Sequence, residues 1–126
     1  MTIKVERKRQ DLAKRTKTFA RRTRDFVRCL PPSPVTCEYG KQLLRAAGSV
    51  AANYNEAFYS FGLRDFVYRI KLTRKESNES LIWLDLLDIG LEESLEQERH
   101  WLLNEATELM KIFTAIAKKI DPHRPS

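Results

Sequence analysis

The stretch LAKRTKTFARRTRDFVRCL, residues 12–30, carries two patterns at once. Leu12, Thr16, Phe19, Thr23, Phe26 and Leu30 step by 4, 3, 4, 3, 4, which puts them on one stripe of an α-helix. Lys14, Arg15, Lys17, Arg21, Arg22, Arg24 and Arg28 occupy the remaining faces. A helix with one such stripe must bury it against other elements. The rest of the chain supplies three more of the same kind.

Outward from this stretch, the first helix is expected over about residues 5–30 and ends at Pro31-Pro32, which cannot continue it. The second is expected over about 34–58, with Ser33 as N-cap and Pro34 in the first turn. Its stripe is Leu43, Ala47, Val50, Tyr54 and Phe58. Gly48 lies within a small-sided run and costs the helix about 1 kcal/mol relative to Ala, which suggests close approach of a neighbouring helix there. The third helix is expected over about 62–89, with Ser60 as cap and Gly90 as stop. Phe66, Ile70, Thr73, Ser77, Leu81, Leu84 and Leu87 follow the same spacing. The fourth is expected over about 94–120, opened by a capping box of Ser94 and Gln97. Its stripe is Leu102, Ala106, Leu109, Phe113, Ile116 and Ile120.

Helices of similar length with short connectors favour up-down-up-down packing. The expected architecture is all-α: one antiparallel four-helix bundle over residues 1–126, with a tail, 121–126, that frays. A 42% hydrophobic fraction is enough for one core in a chain of 126 residues and argues against disorder.

Several functions are excluded or disfavoured. No apolar run approaches a membrane span, and MTIKVERKRQ lacks the apolar segment of a secretory signal. A cytoplasmic location is therefore expected, with Cys29 and Cys37 as reduced thiols. There are two histidines: His123 lies in the tail, and His100 stands one turn after Glu96 on a face expected to be solvated. There is no CxxC, HExxH, Gly-rich phosphate loop or pair of Glu-x-x-His motifs. The expectation is a non-enzyme with no catalytic residue, no metal and no cofactor.

Charge is the informative signal. Residues 1–28 hold 11 Lys and Arg against 3 Asp and Glu, a balance of +8, whereas residues 29–126 hold 12 against 14, a balance of −2. The cationic first helix has three readings: a solvated face, a surface that lies on nucleic-acid phosphates, or an amphipathic membrane-surface helix. Two threonines and no tryptophan in its apolar stripe disfavour the membrane. Lys14, Arg15, Lys17, Arg21, Arg22, Arg24 and Arg28 are the candidate phosphate contacts. Asn53 and Glu56, at the end of the second helix, are the candidates for a structural polar layer against the third.

The runs QLLRAAGSVAANYNEA (42–57), DFVYRIKL (65–72) and KESNESLIWL (75–84) resemble the bacterial four helix bundle protein family. Its first members are encoded within intervening sequences of 23S ribosomal RNA genes, and it was once labelled ribosomal protein S23. The resemblance covers about residues 10–118. It implies a four-helix bundle assembled as a homopentamer, and relatives among diversity-generating retroelement accessory proteins bind nucleic acid and a reverse transcriptase. Ala57-Phe58 replaces the usual small residue after Asn-x-x-Glu, and the chain is more similar to the intervening-sequence branch. The leading expectation is a non-catalytic oligomeric scaffold that binds structured RNA or DNA through its first helix. The alternative is an accessory module that docks this helix on an acidic protein partner or a reverse transcriptase.

Overall fold

The computed structural model describes residues 3–120, which form four helices and no strand. They are α1 (Ile3–Arg28), α2 (Pro34–Phe58), α3 (Leu63–Leu86) and α4 (Glu93–Ile120). Each packs on its neighbours in sequence, and α1 closes the ring against α4 through the thinnest of the four seams. The architecture is the expected antiparallel four-helix bundle. The tail 121–126 and its expected fraying lie outside the described residues.

The α1 stripe is the clearest success of the periodicity. Thr16, Phe19, Thr23, Phe26 and Leu30 are buried, and Leu12 packs against the core from its edge. Leu43, Ala47, Val50 and Tyr54 face them from α2, Ile70 and Leu84 from α3, and Leu102, Ala106, Leu109 and Phe113 from α4. The middle of α3, polar in sequence, is also part of the interior. Thr73, Ser77 and Ser80 are each fully buried and donate their hydroxyls to the carbonyl four residues back, at 2.8–2.9 Å. That local bond satisfies the hydroxyl without a cross-chain partner.

Helix ends agree with expectation at Ser33 and depart from it at Ser60, Gly90 and Ser94–Gln97. Ser33 does cap α2, accepting from the Thr36 amide at 3.0 Å. Ser60 does not cap α3. That position belongs to Gly62, whose φ of 110° suits glycine, and Asp65 accepts instead from the Phe61 amide. Gly90 is not the stop of α3. The helix ends at Leu86 because Leu87 turns extended, and Leu87 and Ile89 both enter the core. Arg99 of α4 donates to the freed Leu87 carbonyl at 2.7 Å. The Ser94–Gln97 capping box is absent, since α4 begins at Glu93 and the Ser94 hydroxyl donates to Glu92.

The close approach inferred at Gly48 lies elsewhere. Gly48 faces open space, whereas a Cβ at Gly40 would stand 3.2 Å from Val27 of α1. The small residue that α1 requires is thus near the start of α2. Cys29 and Cys37 are exposed free thiols on either side of the proline turn.

Candidate nucleic-acid interface

The seven candidate cations of α1 divide into two sets. Arg15 and Arg22 lie on the flank that faces α4. Arg15 forms a two-pronged bond to Glu105, with Nε and Nη2 each 2.8 Å from a carboxylate oxygen. Arg22 grips Glu98 in the same way, with Nε at 3.0 Å, and its guanidinium lies over the Trp101 ring at 3.4 Å from the centroid. The hydrogen bonds that each guanidinium donates to its partner carboxylate push both guanidinium pKa values above their ordinary value, against the opposing effect of burial. These two residues lie on α1 as expected and keep side chains 38% exposed, but each guanidinium is already held by a carboxylate of α4. Their charge is met inside the protein.

The other five lie on the outer ridge. Lys14, Lys17, Arg21, Arg24 and Arg28 step by 3, 4, 3, 4 and are all exposed. The ridge is offset from the buried stripe by two residues, about 200° around the helix, so it points away from the core. Arg24 and Arg28 share Asp25, at 3.0 and 3.7 Å. Lys14, Lys17 and Arg21 have no ion pair or hydrogen-bonding partner among the described residues. Arg7, one heptad before Lys14, extends the same exposed line. From Arg7 to Arg28 the line is about 32 Å long at 1.5 Å per residue.

The carboxylates that neutralise the flank were absent from the sequence reading, yet a signal exists. Arg15 and Arg22 are seven residues apart, and so are Glu98 and Glu105. Each pair's residue numbers add to the same total, the register that two antiparallel helices impose.

Asn53 and Glu56 are not brought together as a layer. Asn53 is half-buried; its side-chain amide donates to the Ser49 carbonyl, and its oxygen lies 3.5 Å from Arg69 of α3. Glu56 is exposed. The carboxylate that enters the α2–α3 seam is Glu76, 8% exposed and 3.5 Å from Arg45. Burial raises the Glu76 pKa, while hydrogen bonds from Glu76 and from Arg45 lower that of Glu79.

His100 is exposed, and no group of metal-ligating side chains occurs among the described residues. Among those residues no helix is long and apolar enough to cross a membrane.

No protein-family model and no curated protein matches the chain. Among solved structures, the chain is similar to a protein with unknown function from the S23 ribosomal protein family of Bacteroides thetaiotaomicron. The two share 28% identity with a TM-score of 0.74, covering 88% of this chain and 98% of that one. At that coverage the likeness extends over most of the helical architecture.

Proposed function

We propose that the chain is a non-catalytic scaffold that lies on the phosphate backbone of structured RNA or DNA through the outer ridge of α1. One observation carries this reading. The protein neutralises the cations on one flank of α1 with its own carboxylates and leaves Lys14, Lys17 and Arg21 exposed and unpaired among the described residues. An exposed row of cations displaces counterions from a polyanion, a gain that depends on charge and not on base identity.

The ridge holds six cations from Arg7 to Arg28 and is flanked by two exposed acids, Asp11 and Asp25, which leaves about four net charges for phosphates. Log affinity should then fall against log salt with a slope near −3, from roughly −0.7 to −0.9 per contact. Replacing Lys14, Lys17 and Arg21 with Gln should flatten the slope by about two to three units, equally for unrelated sequences. Two outcomes overturn the proposal: no binding to duplex or structured RNA at low salt, or binding that the triple substitution leaves intact. The first would leave an acidic protein partner as the use of the ridge.

Self-association belongs to the same proposal. The bundle absorbs part of its surplus apolar surface: Trp83 packs against Tyr39 with tilted rings, Trp101 lies under Arg22, and Ala117 is buried. Tyr68, Ile82 and Leu86 of α3 stay about half exposed, at 56%, 49% and 50%. A second subunit would cover them, and the family resemblance implies five. Light scattering should return a mass several times 14.8 kDa, and a clean monomer at micromolar concentration would refute this part. Repetition of the ridge around such a ring strengthens weak single contacts through avidity.

A further inference from the structure

A second feature lies at the end of the bundle where α1 and α3 begin and α2 and α4 finish. All four helices surround a cavity of about 440 Å³ there. Leu12, Phe58, Phe66, Ile70, Ile112 and Ile116 contribute most of its wall. Ile70 is fully buried, but the other five are only partly covered, because the α1–α4 seam is thin. Both of the α1–α4 ion pairs described above sit further along α1, at Arg15 and Arg22.

The charge around this cavity is of one sign. Lys8, Arg9 and Lys119 line it, and none of the described lining residues is acidic. Arg9 is already engaged, with Glu6 at 3.4 Å and over the Phe58 ring at 4.3 Å. Lys8 and Lys119 are exposed and have no partner among the described residues. The interior offers no group to orient a polar ring. Among the described lining residues Tyr54 is the one uncharged polar side chain, and its hydroxyl is donated to the Arg9 carbonyl at 3.2 Å. Burial pushes that hydroxyl up to about 12, so it stays neutral at ordinary pH.

An apolar wall without hydrogen-bonding groups, under two unpaired ammonium groups, complements a ligand with a featureless apolar body and one anionic end. We propose that this cavity binds a medium-chain fatty acid, with its carboxylate at Lys8 and Lys119 and its acyl chain against Leu12, Phe58, Ile112 and Ile116. The volume falls within the range of roughly 300–1,000 Å³ typical of small-molecule sites. The site is separate from the ridge: Lys8 lies on another face of α1 from Lys14, Lys17 and Arg21, and Lys119 lies on α4.

Calorimetric titration of the full chain with decanoate, decanol and decyltrimethylammonium tests the proposal. Decanoate should saturate at one per chain, decanol should bind about tenfold more weakly, and the cation should not bind. Lys8→Gln with Lys119→Gln should weaken decanoate about tenfold and leave decanol unchanged. Ile116→Trp should fill the cavity and abolish both ligands in a chain that remains helical by circular dichroism, with Ile112→Trp as a second filling variant. Lys14→Gln, Lys17→Gln and Arg21→Gln should leave decanoate binding intact, so failure here and failure of the nucleic-acid reading are distinguishable. Equal affinity for decanol and decanoate would overturn the proposal, as would unchanged binding in the filled variants. So would no decanoate binding by the folded chain; if Ile116→Trp then also lowers the mass seen by light scattering, a second copy occupies the cavity.

Discussion

The flank and the outer ridge of α1 have nearly the same composition and opposite fates. Arg15 and Arg22 meet Glu105 and Glu98 on α4, whereas Lys14, Lys17 and Arg21, a residue or two away in sequence, meet no acid among the described residues. The difference arises from the 100° turn between successive residues, which sends neighbours in sequence to different surroundings. The count of cations in a segment therefore overstates the charge it can offer a partner. Part of the +8 in residues 1–28 holds the bundle together.

The comparison can be broken at its foundation. Both faces exist only while the buried stripe fixes the rotation of α1 about its axis, and Phe19, fully buried, is its centre. Phe19→Ala should cost about 3–5 kcal/mol in denaturant unfolding and loosen flank and ridge together. A loss below about 1 kcal/mol would mean that α1 is held by something other than its stripe.

A smaller effect sharpens the contrast. In a double-mutant cycle, Arg15→Ala against Glu105→Ala should give a coupling of about 1 kcal/mol, since the pair is two-pronged but the arginine stays partly exposed. The nucleic-acid salt slope of these flank variants should match that of the parent. A slope that flattens would show that the flank also reaches phosphate. The smallest stability effect belongs to the ridge: the Lys14, Lys17 and Arg21 triple to Gln should stay within about 0.5 kcal/mol of the parent, because no partner is lost among the described residues and Gln keeps good helix propensity.

Much of the bundle was legible in the sequence because helix periodicity is a local property. Phe19, Leu43, Ile70, Leu102 and Phe113 lie in the core as their spacing required. Pro31-Pro32 and Ser33 placed the α1–α2 turn, since proline geometry and a serine cap act within a few residues. The failures at Ser60, Gly90 and Ser94 share a different cause. Those ends are set by contacts from elsewhere, as when Arg99 takes up the Leu87 carbonyl and Leu87 and Ile89 turn into the core.

The site was legible to a lesser depth. Sequence alone determined that α1 is amphipathic and cationic, because stripe and charge both follow from residue order and a fixed helical pitch. It could not say which arginines stay open. That depends on which helix lies beside α1 and in what register, and only the folded bundle brings Glu98 and Glu105 within reach of residues 76 and 90 positions away. The same holds for the cavity beside Lys8 and Lys119. Its walls come from four helices, and a shared apolar space is a property of their packing, not of any one stretch of chain.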